Sequence, residues 1–277
     1  MSLLIPLYVH PAEDPGAWHR LIAVAARTYA VVLNPADGPG AAPDPAFTGV
    51  AGSLRAAGAR LLGYVDTGYG IRDRDRITED VRRHLAWSAA DGRFLDRVTA
   101  IREGLPACRR LVREIRRLGA TTVVLNPGVH PAPAMPASPT SPSPSKGTGP
   151  PTSGAFTRPA WTGRRPPQRF CRLAYGVPES LVPLAVRTAH ERGAGVCGPV
   201  TGELANPWPE LTPALARPGG WPAGTVCEAA GTATARRRRG ASWPSSTTPR
   251  SSPRSWSCSP TGCPPAPGTA AVRTPRC

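Results

Sequence analysis

The chain has 277 residues, enough for one barrel-sized α/β domain, and its 34 Lys/Arg against 18 Asp/Glu give a formal charge of +16. No stretch approaches the roughly 20 apolar residues of a membrane span, so no membrane partner is expected. The seven cysteines form no C-x-x-C pair and share no metal spacing with histidine, which argues against a metal centre and a complete disulfide framework.

Leu3–Val9 is a short apolar run of the kind buried in a parallel sheet. It contains Pro6 and lacks a basic leader. It is therefore a poor signal peptide, and the default compartment is cytoplasmic. Asp14 can cap a helix running to about Tyr29, with Trp18, Leu21, Ile22 and Ala25 on one face. Ala30–Asn34 is a second buried strand, closed by the loop Pro35–Pro45. A helix over about 46–58 stops at Gly58, and Arg60–Val65 is the third strand. Asp73–Ala90 is a helix with Ile77, Val81 and Leu85 on its apolar stripe. Arg93–Asp96 is the fourth strand, Leu105–Leu118 the fourth helix and Thr121–Asn126 the fifth strand. Such alternation predicts a parallel sheet covered by helices, either closed as a barrel or open and doubly wound. No G-x-G-x-x-G and no P-loop follow the first strand, so no nucleotide cofactor is expected.

The pattern then fails. Residues 135–169 are rich in Pro, Ser, Thr and Gly without periodicity. It resumes with a strand at Phe170–Gly176, a helix at Pro178–Arg192 and a weak strand at Gly195–Thr201. After about Ala229 order is lost again in a basic Ser/Pro/Thr/Arg tail that includes Arg236–Arg239. Four segments follow: 1–134 as five barrel strands, 135–169 as an irregular insert, 170–228 as the last units, and 229–277 as a disordered tail. The charge divides along the same lines. Residues 1–134 carry a net +4, whereas 135–277 carry +12 and no Asp at all. The basic run invites phosphate contacts, but no aromatic-rich sheet motif or zinc finger accompanies it, so no specific nucleic-acid partner is expected.

Several motifs stand in a fixed order. They are Leu4-Ile5-Pro6-Leu7-Tyr8-Val9; Val32-Leu33-Asn34-Pro35 with Gly38-Pro39-Gly40; Leu62-Gly63-Tyr64-Val65 with Tyr69-Gly70; Asp91-Gly92 through Phe94-Leu95-Asp96; Val124-Leu125-Asn126-Pro127-Gly128; and Asn206-Pro207-Trp208. In this series the chain resembles the spherulin 4 (spherulation-specific family 4) proteins, over about 1–134 and 170–210. The resemblance implies a (βα)8 TIM-like barrel. It also implies relation to glycoside hydrolases that cleave galactosamine-containing polysaccharides within the chain.

The same resemblance calls for a sixth strand after the Asn-Pro-Gly turn, where this sequence has Met135–Phe156. Read one nucleotide earlier with GC-rich codons, that segment permits a Val-Thr-Val-Thr-Phe-Glu-Gly strand. Another frame of Ser242–Cys263 permits an amphipathic acidic pattern. Both segments are therefore read as translated out of frame, with the barrel disrupted around its sixth unit. A natural Pro/Ser linker and basic tail is the competing reading.

In such barrels the active groups sit at the C-terminal strand ends. Those ends supply Tyr8, His10, Asn34, Asp66, Tyr69, Asp96, Asn126 and Tyr175. A carboxylate, amides and aromatic rings suit a sugar. Glycoside hydrolysis generally needs two carboxyl groups about the scissile bond. The family's fourth strand ends in an Asp-Glu pair, with a further Glu after the sixth strand. Asp96 matches the first acid and is the candidate catalytic residue. Arg97 stands in place of the second, and the third is absent. Asp66 is an alternative second carboxylate. Arg97 offers a partner for Asp96 or for an anion, although adjacent strand residues point to opposite faces. Tyr64 and Trp87 read as core. The expected partner is a poly- or oligosaccharide. The resemblance implies a glycoside hydrolase acting on an amino-sugar polysaccharide, either active or inactive as written, and the alternative is a non-catalytic carbohydrate-binding barrel.

Overall fold

The computed structural model describes residues 1–129, 131–135, 160–203 and 206–216. All lie in the first of two compact units, 1–229. Most of the irregular segment expected at 135–169, the tail expected from 229 and Arg236–Arg239 lie outside the described residues.

Among the described residues seven strands form one sheet: β1 (Ser2–Pro6), β2 (Thr28–Leu33), β3 (Leu61–Asp66), β4 (Gly92–Asp96), β5 (Thr122–Leu125), β6 (Cys171–Ala174) and β7 (Val196–Pro199). Their order is β5-β4-β3-β2-β1-β7-β6, and every neighbouring pair is parallel. The order steps through the chain without reversal, and β1 lies beside β7. An open doubly wound sheet would reverse direction at a switch point. This one does not.

The two faces confirm a curled, barrel-like sheet. Side chains alternate along a strand. One alternate set is Leu4, Ala30, Val32, Leu62, Tyr64, Phe94, Val124, Cys171, Leu173 and Val196. These pack together without any helix residue. Val124 of β5 and Leu173 of β6, from opposite ends of the strand order, share that cluster, so the sheet wraps around its own inner face. The other set, with Ile5, Val31, Leu33, Leu95 and Val123, packs under the helices.

Local chemistry sets the helices. α1 (Pro15–Val24), α2 (Pro45–Ala56) and α3 (Arg74–Ser88) each start behind an aspartate whose carboxylate accepts from first-turn N–H groups: Asp14, Asp44 and Asp73. Proline occupies the first turn of α1 and α2, where its missing N–H costs nothing. α4 (Leu105–Arg117) and α5 (Val182–Glu191) cover the next units, and α6 (Pro213–Ala216) is one turn. Several boundaries differ from the sequence expectation: β1 ends at Pro6 and not Val9, and α5 starts at Val182 behind a 3₁₀ turn at Glu179–Leu181 and not at Pro178. α1 stops at Val24 and Ala25–Arg27 form a 3₁₀ turn, so Tyr29 lies in β2. No helix among the described residues is long and apolar enough to cross a membrane.

Close strand approach depends on glycine. A Cβ on Gly92 would lie 2.2 Å from the Thr122 carbonyl oxygen and 2.7 Å from Leu62 Cδ2. Gly92→Ala should therefore cost about 3 kcal/mol, because the obstruction is backbone. Gly49, inside α2, has nothing within 4 Å of its Cβ position. Gly49→Ala should gain about 0.5–1 kcal/mol. Urea midpoints of the two variants check the contrast. Equal midpoints would contradict it.

Candidate functional site

Period-two alternation carries the inner face to the C-terminal strand ends. One step beyond Tyr64, Phe94 and Val124 stand Asp66, Asp96 and Asn126, with Asp66 opposite Asp96 in register. The same step leads from Val32 to Asn34 and from Leu173 to Tyr175. The mouth is thus assembled by register.

Asp96 is its centre. Tyr64 Oη donates to Asp96 Oδ2 (2.8 Å), and Asn126 Nδ2 donates to Oδ1 (2.7 Å). Burial pushes the Asp96 carboxyl up, and these two donors and the Arg97 N–H only partly counter it. Burial likewise raises the Tyr64 phenol, with further help from Asp96, so it stays protonated and donates. Tyr64 is core by its ring, as expected, but its hydroxyl belongs to the site. Sequence reasoning missed this because a strand tyrosine facing inward reads as packing.

Asp66 is held differently. Arg97 Nε donates to Asp66 Oδ1 (2.8 Å), Arg97 Nη2 pairs with Oδ2, and Gly68 N–H donates to Oδ1 (2.8 Å). Burial raises the Asp66 carboxyl, but Arg97 and Gly68 outweigh it and hold it low. Arg97 therefore pairs with Asp66 and not with Asp96. Its backbone is left-handed (φ 49°), which breaks the strand alternation and brings its side chain to the mouth.

The remaining candidates take distinct places. Tyr8 stacks edge-on against Tyr64 and Trp208, with centroids 5.9 and 5.1 Å apart. Its hydroxyl and the Trp208 indole N–H are enclosed without a hydrogen-bond partner. Tyr8 N–H donates to the Trp208 carbonyl (2.8 Å), which fixes the Asn206-Pro207-Trp208 segment over the mouth. Asn34 is buried, and its Oδ1 accepts from Gly38 N–H (2.7 Å), holding the β2 loop. His10 Nδ1 accepts from Ala12 N–H (3.1 Å), so Nε2 carries the proton and donates to Asp44 Oδ2 (2.9 Å). His10 thereby braces the α2 cap. Tyr69 is exposed beside Arg97, and Tyr175 is half-buried at the end of β6. Trp87 lies on the outside, under the Arg83 guanidinium.

Asp37 is an acid that the sequence pattern did not single out. It lies exposed in the β2 loop with φ 49°, near enough for its charge to raise both Tyr8 and Tyr64. Among the described residues no group of three His, Cys, Asp or Glu could hold a metal ion.

Residues 2–141 match spherulation-specific family 4 (Spherulin4). The chain belongs to this family. Among curated proteins it is similar to Spherulin-4 of Physarum polycephalum, 32% identical over 137 residues. That match covers 47% of this chain and 40% of that protein, so the chain spans well under half the length of its curated relative. Among solved structures it is similar to Aspergillus clavatus Sph3, crystallised in complex with GalNAc. The TM-score is 0.59 at 23% identity, covering 78% of this chain and 97% of the other. That likeness shows the fold. The spherulin 4 match takes in β1 to β5, and with them Asp66, Asp96 and Asn126.

Proposed function

We propose that this spherulin 4 chain binds an amino-sugar polysaccharide at its strand-end mouth, in the manner of a glycoside hydrolase barrel, and does not cleave it. The observation that carries this is the unequal state of the two facing carboxyls. Asp96 is enclosed, raised and held by Tyr64 and Asn126, as suits a group that carries or shares a proton. Asp66 is bound by Arg97 at two points and is spent on that ion pair. Hydrolysis needs an ionised partner free to act as base or nucleophile. Asp66 is the acid facing Asp96 in register, and the other mouth acid, Asp37, stands on the exposed β2 loop. The sequence offers no acid between Glu114 and Glu179. The GalNAc bound in the Sph3 structure supports an amino sugar as ligand.

Calorimetric titration with N-acetylgalactosamine oligomers, paired with a reducing-end assay, tests both halves. Saturable binding without new reducing ends is expected. Reducing-end release that Asp96→Asn abolishes would sink the non-cleaving half. Failure to bind would sink the saccharide reading.

The same reading takes the seven strands as units one to five, seven and eight of an eight-unit barrel disrupted at the sixth. It is supported by β5 and β6 standing at the two ends of the described strand order, with β1 beside β7. Sequencing the gene across Asn126–Phe170 checks it. A frame with no indel relative to an intact relative rules the disruption out.

A further inference from the structure

Besides Asp37, two residues at the mouth hold a backbone conformation that non-glycine residues rarely adopt: Tyr69 (φ 56°) and Arg97 (φ 49°). They are not strained independently. Tyr69 N–H donates to the Arg97 carbonyl, and the Thr67 hydroxyl donates to the same oxygen (2.8 Å). Thr67 also fastens the Asp96 carbonyl through its N–H (3.0 Å), and its single hydroxyl proton is shared between that oxygen (2.9 Å) and the Arg97 carbonyl. The β3 loop is thus clamped onto the end of β4. Such strain persists only where its surroundings enforce it, and it gathers at ligand clamps.

The clamp presents two side chains outward. Tyr69 is 54% exposed, and its hydroxyl lies 3.8 Å from where a Cβ on Gly128 would stand. The ring therefore reaches from the β3 loop across to the β5 loop. Arg97 keeps 51% of its side chain exposed. A guanidinium has two edges able to grip a carboxylate at two points. Asp66 occupies the Nε/Nη2 edge. Among the described residues no hydrogen bond uses Arg97 Nη1, and the Asp66 pair at Nε and Nη2 holds the half-exposed guanidinium in place. Arg72, which donates to the Asp66 carbonyl (2.9 Å) and to Asp80 (2.6 Å), stiffens the same loop.

We infer that Tyr69 and Arg97 form a subsite for an acidic sugar, in which the guanidinium end grips the carboxylate of a uronic acid unit and the phenol ring covers a pyranose face. The inference rests on the saccharide reading and narrows it. The bound polymer combines a hexosamine, placed at Asp96, with a uronic acid beside it. Local net charge does not drive the choice, because Asp66, Asp37 and Asp96 share the mouth with Arg97. Two-point geometry does.

The test uses unsulfated chondroitin oligosaccharides, which alternate N-acetylgalactosamine with glucuronic acid. The control is the same oligosaccharides with their carboxyls reduced to alcohols. The full chain should bind the native oligosaccharide about tenfold more tightly than the reduced one, with the gap narrowing as salt rises. Arg97→Gln should bind the two equally, and Arg97→Lys should recover part of the preference. The reduced oligosaccharide and the single-residue change separate this subsite from the chain's overall charge of +16. Equal binding of both by the unaltered chain, or a preference that survives Arg97→Gln, would overturn the inference. Saccharide binding without preference leaves the broader reading standing, whereas failure of every oligosaccharide to bind removes both.

Discussion

Asp96→Asn should weaken saccharide binding at least tenfold and, at the same time, stabilise the folded chain at neutral pH. The binding loss follows because the carboxyl is the acceptor a sugar hydroxyl would meet, and a hydrogen bond to a charged group contributes about 1.5–3 kcal/mol. The stability gain follows from burial. The folded carboxyl titrates above its unfolded value of about 3.9, so the native state binds more protons than the unfolded state between those two values. Stability therefore falls as pH rises through that window and stays low above it. Asparagine keeps the shape and can still bond Tyr64 and Asn126, without the charge. Urea unfolding of both proteins should show the variant ahead at pH 7 and the gap closing toward about pH 4. A variant less stable at pH 7 would contradict this account of the site.

His84 should produce the opposite slope. It is 2% exposed on α3, pressed against Gly63, and its Nε2–H donates to the Tyr64 carbonyl (2.7 Å). Burial, aided by Arg93, pushes its pKa down to about 4. Arg93, 1% exposed, donates among the described residues to the Ala90, Gly92 and Val81 carbonyls, and burial lowers it to about 10. A folded histidine held below its unfolded value contributes stability above about pH 6.5 that is lost as pH falls toward 4. The loss amounts to about 3 kcal/mol over that range. His84→Gln retains an N–H for Tyr64 and cannot take up the proton, so its acid limb should be flat. The clean comparison is in the Asp96→Asn background, where the opposing carboxyl slope is gone. The same pH dependence with and without His84 would remove it as the cause.

The strands were legible because buried parallel strands are continuous apolar runs, and Val31, Val32, Leu61, Leu62, Val123 and Val124 all read that way. The helix starts were legible in Asp14 and Asp73, whose capping chemistry is local. The end of α1 was not, because Ala25-Ala26-Arg27 contains no helix breaker and the change to a 3₁₀ turn is set by tertiary packing. Alternation placed Asp66, Asp96 and Asn126 together. It also put Arg97 on the wrong face, since a left-handed arginine leaves no mark in sequence. The hydroxyl of Tyr64 escaped notice for a related reason: its partner stands on a different strand, and only register brings them within 2.8 Å.

The pairing of β1 with β7 has a consequence for synthesis. Ser2 pairs with Val196, so one edge of β1 waits until β7 has been made. At about 5–20 residues per second, that edge stays uncovered for about 10–40 s after it leaves the ribosome. Leu3, Leu4 and Ile5 are all buried in the finished sheet, so this is an apolar edge able to recruit another chain. The delay makes the nascent chain a natural client for holding chaperones, and makes recombinant yield sensitive to the speed of translation.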